Sequence, residues 1–218
     1  MNQKIIAIMP IKLQNERLPG KNTRLLGEKP LLQYELDNLK ETGIPEQIYV
    51  FCSQEDIIPY LPKDILFAKR PEYLDLPSSN FTQIFEEFLP MHDADIYVYA
   101  HATAPFISVD TMTQCMKAVL SGEYDSAFCA VKIQDFLWQN GEPLNFDAEN
   151  IPRSQDLAPI YRETSGVYVF TREVFKTYHR RIGKHPFIKT VTYKEAIDIN
   201  NSEDFALAQA LLHVDFME

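Results

Sequence analysis

The chain has 218 residues, 45% of them hydrophobic, which is enough to bury one substantial core and too few for two ordinary domains. Its formal net charge of −10 repels nucleic acid and anionic membrane over most of the surface and excludes both as main partners. An acidic chain still binds a nucleotide where its few cations are gathered in one place.

The apolar run over 4–10 predicts a buried strand that ends in a polar loop carrying Lys12, Arg17 and Lys21. In open α/β sheets, ligands bind at the carboxyl ends of the strands. Three cations at that edge, in a loop held by Pro19-Gly20, point to a polyanion such as a nucleoside triphosphate. The loop is not a Walker A motif, because Asn22 follows Gly20-Lys21 and Asn15 occupies the first glycine position. It is not a dinucleotide fingerprint either, since Gly20 is the first glycine of the chain.

Further strands are predicted over 47–52, 65–68, 95–100, 125–131 and 166–170. Helices are predicted over 30–40 with Pro30 in the first turn, over 80–89, over 108–120 from a Ser108 cap, and beyond a Ser202 cap. This alternation predicts a three-layer α/β fold on a mostly parallel sheet. Residues 132–165 break the pattern; Asn140-Gly141 marks a hairpin there, and the excursion is expected to serve as a dimer contact or substrate lid. Cys52, Cys115 and Cys129 are widely spaced, and Cys52 and Cys129 read as buried thiols. The apolar run over 4–11 is too short for a signal peptide with its cleavage site, and no segment approaches a membrane span, so a cytoplasmic protein is expected.

Three later constellations carry chemistry. Lys69-Arg70-Pro71-Glu72 follows a short strand and offers a second basic contact for phosphate. His101-Ala102-Thr103-Ala104-Pro105-Phe106 follows the strand over 95–100; His101 and Thr103 are placed near nucleotide or acceptor, and His101 is not assigned as a base. In Asp198-Ile199-Asn200, alternation puts residues 198 and 200 on one side, where two oxygens can hold one Mg²⁺ together with phosphate oxygens.

Residues 10–22 align without a gap to the opening loop of the CMP-sialic acid synthetases, the acylneuraminate cytidylyltransferases. Pro10, Arg17, Leu18, Pro19, Gly20, Lys21 and Asn22 match. Lys12 replaces an arginine, Leu13 and Gln14 two glycines, and Asn15 a serine, while Glu16 reverses the charge of a lysine. Arg70, Pro71 and Leu74 match a second element, and 101–106 is similar to the form found in members acting on pseudaminic acid. Arg153 to Leu157, then Tyr161 to Tyr168, resembles a fourth element, with one extra residue between Arg162-Glu163 and Gly166 and with Ser165 where asparagine is usual. Asp198, Glu203, Asp204 and Phe205 match a fifth, with Asn200 in place of a second aspartate.

The resemblance covers nearly the whole chain. It implies one domain over 1–218 with the nucleotide-diphospho-sugar transferase fold, and transfer of CMP from CTP to an acidic, sialic acid-like sugar for surface glycans, with release of pyrophosphate. It further implies Lys12, Leu13, Asn15, Lys21, Asn22, Arg70 and Thr103 on the nucleotide, and Lys21, Arg17 and Asp198 in catalysis. His101, Thr103, Gln155, Arg162, Glu163 and Ser165 fall to the acceptor, Asp198 and Asn200 to Mg²⁺. A homodimer is implied, with the excursion reaching toward the partner's site. The acceptor stays open among sialic, pseudaminic, legionaminic and octulosonic acids, or another acid or phosphonate. Glu16 and Asn200 also leave open a nucleotide-binding protein of the same fold with weakened turnover, and a pyrophosphorylase for another nucleotide is a third reading.

Overall fold

The computed structural model describes residues 3–214. Its strands are β1 (Ile5–Ile11), β2 (Leu25–Leu26), β3 (Lys29–Pro30), β4 (Gln47–Cys52), β5 (Leu66–Lys69), β6 (Ile96–Ala100), β7 (Ser126–Ile133), β8 (Trp138–Gln139), β9 (Glu142–Pro143), β10 (Ile160–Thr171) and β11 (Pro186–Thr190). The helices are α1 (Leu31–Glu41), α2 (Phe81–Phe88), α3 (Val109–Leu120), α4 (Arg172–Tyr178) and α5 (Ser202–Leu211). Seven strands form the central sheet in the order β11-β7-β10-β6-β1-β4-β5. All of its pairings are parallel except those of β10, which runs antiparallel to both β6 and β7. The mostly parallel three-layer fold expected from the sequence is therefore present.

The period-two alternation of strand side chains divides the core between the two faces of the sheet. Ala7, Met9, Val50, Cys52, Val98 and Cys129 pack with Leu32, Leu36 and Leu39 of α1 and Met112, Cys115 and Met116 of α3. Ile6, Ile8, Phe51, Tyr97, Tyr99 and Phe170 pack with Phe85 and Phe88 of α2 and Val174 and Phe175 of α4. The second face is largely aromatic, with Phe85 in edge contact with Tyr97, Phe170 and Phe175 at centroid distances of 4.8, 5.1 and 4.6 Å. All three cysteines are free and buried, as expected for Cys52 and Cys129. Among the described residues no helix is long and apolar enough to cross a membrane.

Four local expectations need correction. The last helix is capped by Asn201: its side chain accepts the Glu203 and Asp204 N–H groups, and Asp204 accepts the Asn201 N–H in return. This reciprocal capping box satisfies donors on both sides and leaves Ser202 as the first helical residue. Pro30 is likewise the cap of α1, outside its first turn. The strand expected over 166–170 is the inner half of β10, which starts at Ile160. Finally, β11 and α4 have no counterpart in the expectations. β11 is a five-residue edge strand opening on Pro186 and only half covered, so it shows no apolar run.

The excursion is a ribbon extending the sheet. Its base pairs Ile160 with Ile133 and Glu163 with Ala130, and its tip is the β8–β9 hairpin. Asn140 and Gly141 both have positive φ, 53° and 86°, the conformation that a two-residue hairpin turn requires. Between Glu163 and Tyr168 the β7–β10 register shifts: five steps along β10 span two along β7, from Ala130 to Phe128. The extra residue between Arg162-Glu163 and Gly166 lies inside this bulge. Gly166 is required there, because a Cβ would come within 2.5 Å of the Ile107 side chain.

One buried group stands apart from the apolar packing. Glu35 on α1 is fully buried, and neither carboxyl oxygen has a partner. Burial, with a smaller contribution from Cys129, raises its pKa well above the ordinary glutamate value. The folded state thus holds a proton that the unfolded chain releases near pH 4.5, so stability is greatest below that pH and falls as pH rises toward the folded pKa. Replacing Glu35 by Gln is expected to remove this slope. Melting curves should nearly coincide with wild type at pH 4.5 and lie on the order of 3 °C higher at pH 8; parallel profiles for the two proteins would contradict a neutral Glu35.

Candidate functional site

The parallel strands β1, β4, β5 and β6 end at residues 11, 52, 69 and 100, and β10, running the other way, enters the sheet at the same edge. The loops that leave these ends carry the polar groups. After β1, Leu18 is anchored in a cluster with Leu26, Leu31, Ile199, Phe205 and Ala208. Gly20, at φ 66°, then turns the chain into a short 3-10 turn over Lys21–Thr23, with the Thr23 and Arg24 N–H groups donating to the Gly20 carbonyl. That turn directs Lys21 and Asn22 inward, and both are buried.

Lys21 Nζ donates to the Ile199 carbonyl at 2.6 Å. Burial lowers its pKa, with Asp198 opposing and Arg17 reinforcing the shift. Asn22 Nδ2 donates to the Lys12 carbonyl at 3.1 Å, while Asn22 Oδ1 is sealed from solvent without a partner, as is Asn15 Oδ1. Two buried acceptors without a donor thus lie in this one loop.

The segment before α5 faces this loop. Ile199 N–H donates to the Thr103 carbonyl at 2.8 Å, which joins residues 198–200 to the loop after β6. Thr103 Oγ1 donates to Asp198 Oδ1 at 2.5 Å, and Asn200 Nδ2 donates to Asp198 Oδ2 at 2.8 Å. Asn200 Oδ1 in turn accepts from Arg17 Nη2 at 2.8 Å. Residues 198 and 200 thus face each other as alternation predicts. No group of three or more His, Cys, Asp or Glu side chains suited to a metal occurs among the described residues. One carboxylate and one amide oxygen make a thin ligand set. Such a set fits magnesium arriving with phosphates and water, because Mg²⁺ commonly keeps its waters and takes only one or two carboxylates.

A second cationic centre lies after β5. Arg70 is buried and paired with Asp75, whose other oxygen accepts Ser53 Oγ at 2.5 Å; Lys12 Nζ approaches the Asp75 carbonyl at 3.4 Å. Between these groups and the first loop lies a cleft of about 590 Å³ lined by Lys12, Leu13, Asn15, Glu16, Gly20 and Asp75 among others. Lys12, Leu13, Asn15 and the loop carrying Lys21 therefore belong to one cleft, with Asp75 in its wall and Arg70 paired to Asp75. Asp75 and Ser53 were not singled out from sequence; the only signal was an acid five residues beyond Arg70.

His101 continues the alternation of Tyr97 and Tyr99 onto the aromatic face, 5.2 Å from the Tyr99 ring and 5.9 Å from that of Tyr168. Its Nε2 is sealed without a partner. Burial first, then Arg181, push its pKa down to about 4, so the ring is neutral at physiological pH. Tyr168 OH donates to Glu163 Oε1 at 2.5 Å, and Arg181 sits over the Tyr168 ring. Arg181 is a further residue that sequence reasoning missed, since Arg180-Arg181 matches no motif. Of the expected acceptor residues, Thr103 adjoins Asp198, and His101 and Glu163 join the Tyr168 group. Arg162 and Gln155 are exposed on the ribbon, and neither is hydrogen-bonded to the Lys21–Asp198 group. Ser165 sits half-buried in the bulge.

The chain as a whole is similar to several known proteins. A pseudaminic acid cytidylyltransferase of Campylobacter jejuni is 23% identical over 228 residues, covering 97% of each chain. A CMP-N,N'-diacetyllegionaminic acid synthase of Legionella pneumophila is 20% identical, with the same coverage. In overall structure the chain is similar to a CMP:2-keto-3-deoxy-manno-octonic acid synthetase solved with CTP, at TM-score 0.70 and 15% identity over 96% of this chain and 98% of that one. The cytidylyltransferase family profile matches residues 6–214, nearly the full length, and the chain belongs to that family of CTP-using nucleotidyltransferases.

Proposed function

We propose that this protein transfers the cytidylyl group of CTP to a hydroxyl of an acidic, sialic acid-like sugar and releases pyrophosphate. The observation that carries the reading is the convergence of Lys12, Arg17, Lys21 and Arg70 around one loop at the carboxyl edge of the sheet, with Asp198 beside Lys21. Relatives named for pseudaminic and legionaminic acids support an acidic acceptor.

In the transfer, the acceptor oxygen forms a bond to the α-phosphorus, the bond from that phosphorus to the pyrophosphate oxygen breaks, and the hydroxyl proton passes to water. The charge that grows on the leaving group is met by Lys21, Lys12 and Arg70. Lys21 and Arg70 are already desolvated in the folded protein, so their interaction with phosphate is screened less than at a surface. Asn15 and Asn22 offer their unpartnered oxygens to amine or hydroxyl donors of the nucleotide. Thr103 and Asn200 hold the Asp198 carboxylate in position. Magnesium, held by Asp198 and Asn200 with phosphate oxygens, would neutralise charge and orient the α-phosphate. For the amide oxygen of Asn200 to serve, Arg17 releases it and turns to the phosphates; the Arg17 side chain is exposed and free to do so.

The ribbon bears Phe136, Trp138, Leu144, Ile151 and Tyr161 with 38%, 60%, 52%, 63% and 45% of their surface exposed. Covering such a set by a second copy of the chain accounts for its apolar character, and we take the active form to be a homodimer acting in the cytoplasm. A second reading, a nucleotide-binding protein with weak turnover, is favoured by one observation: Asn200 leaves a single carboxylate where metal-dependent transfer gains from two.

Three outcomes are expected. Lys21→Ala should lower the rate of acceptor-dependent pyrophosphate release from CTP by roughly 10²–10³-fold while the fold is retained; near-normal turnover would reject the role of Lys21. Asn200→Asp should lower the Mg²⁺ concentration giving half-maximal rate roughly tenfold, whereas CTP binding without pyrophosphate release in wild type and variant alike would support the second reading. Light scattering should give a dimer for wild type and a monomer for Trp138→Ser/Leu144→Ser, and a monomeric wild type would end the dimer proposal.

A further inference from the structure

A second basic feature lies on the aromatic face, where Arg181 and His101 both pack against the Tyr168 ring. α4 ends at His179, at φ 50°, and the chain turns through Arg180-Arg181-Ile182-Gly183. The Arg181 guanidinium carbon sits 3.6 Å from the Tyr168 ring centroid, 5.5 Å from that of Phe81 and 6.0 Å from that of Tyr99. Its one hydrogen bond, Nη2 to Glu163 Oε1, is at the outer limit of 3.5 Å, and that oxygen already accepts the Tyr168 hydroxyl at 2.5 Å. The other guanidinium N–H groups donate to no protein acceptor among the described residues, although the side chain is only 26% exposed. Phe81, Arg180, Arg181, Ile182 and Gly183 line an open, largely apolar cleft of about 460 Å³, a size that accepts a sugar.

A guanidinium stacked on a ring, largely desolvated and with most of its fork unused, is set up to grip a planar anion through two parallel hydrogen bonds. Apolar walls around it suit an organic acid better than an inorganic ion. Arg162, on the ribbon, stacks on no ring among the described residues and so lacks the first of these properties. His101 packs against the same Tyr168 ring as Arg181 and is also within electrostatic reach of Asp198 and Lys21. Being neutral and sealed, it adds no charge to either group.

We propose that Arg181 is the residue that receives the carboxylate of the acidic acceptor, with Tyr168 and Glu163 fixing the orientation of its guanidinium. The inference rests on the cytidylyl-transfer reading and deepens it, by placing the acceptor's acid group at the turn after α4 instead of at Arg162. Specificity for an acid then comes from the remaining N–H groups of that guanidinium, which its long contact with Glu163 leaves without an acceptor whenever a neutral sugar enters.

The test is calorimetric titration of wild type, Arg181→Met and Arg162→Met with N-acetylneuraminic, pseudaminic, legionaminic and 3-deoxy-manno-octulosonic acids, and with the C1 carboxamide of whichever acid binds. Each titration is run with and without CMP, and CTP affinity is measured in parallel. Methionine keeps apolar contact with Tyr168 while removing the fork. The acid that binds wild type should bind Arg181→Met at least 30-fold more weakly and Arg162→Met within threefold of wild type. Its carboxamide should bind weakly to wild type and no more weakly to Arg181→Met. CTP affinity should stay within twofold throughout. An Arg181→Met protein that binds the acid within threefold of wild type, or loses CTP in parallel, overturns the proposal. If Arg181→Met does not fold, Arg181→Lys, which keeps the charge without the fork, should show at least a tenfold loss, and a smaller one overturns it. If no acid binds wild type while CTP does, the proposal falls and the nucleotide half of the reading stands; if CTP does not bind either, the reading itself has failed.

Discussion

The site depends on one buried interaction. Lys21, two residues past a proline, is carried into the interior and held by the carbonyl of Ile199, 178 residues later in the chain. A desolvated ammonium is costly unless it is paired, and the pairing here is a backbone carbonyl with the Asp198 carboxylate nearby. Satisfying it fixes the loop after β1 against the segment before α5. Leu18, Ile199 and Phe205 seal the same junction with apolar contact. The Thr103, Asp198, Asn200 and Arg17 hydrogen bonds follow from that closure.

The sheet supplies the second constraint. Its strands alternate side chains between an aliphatic face and an aromatic one, so the first residue beyond β6 lands on the aromatic side. That places His101 against Tyr99 and Tyr168 and leaves it neutral. The reversed strand β10 then brings its bulge to the same edge, which is why Tyr168 and Gly166 meet His101 and Ile107, residues that follow β6. A parallel strand at this place would have sent those residues to the opposite end of the sheet.

These two constraints also separate the roles of the cations. Lys21 and Arg70 are buried and already partnered within the fold, Lys21 by a carbonyl and Arg70 by Asp75. Arg17 is exposed and bound only to an amide oxygen, which makes it the mobile member of the set. Glu16, the reversed charge in the loop, is exposed at the rim of the cleft. There solvent screens it, and its effect on phosphate binding is smaller than a buried acid's would be.

The first loop was legible in the sequence because its chemistry is local: Pro19-Gly20 sets a turn directly after the first strand, with its cations beside it. The alternating strands and helices, the Asn140-Gly141 hairpin and the pairing of residues 198 and 200 were legible for the same reason, each being governed by neighbours within a few positions. Asp75 at Arg70, the bulge in β10 and the stacking of Arg181 on Tyr168 were not. Each depends on which strand lies beside which, and on the reversed direction of β10. The amino-acid order determined the elements and the cations they carry; the tertiary structure alone decided which of those cations lose their water, and burial is what turns a surface charge into a binding group.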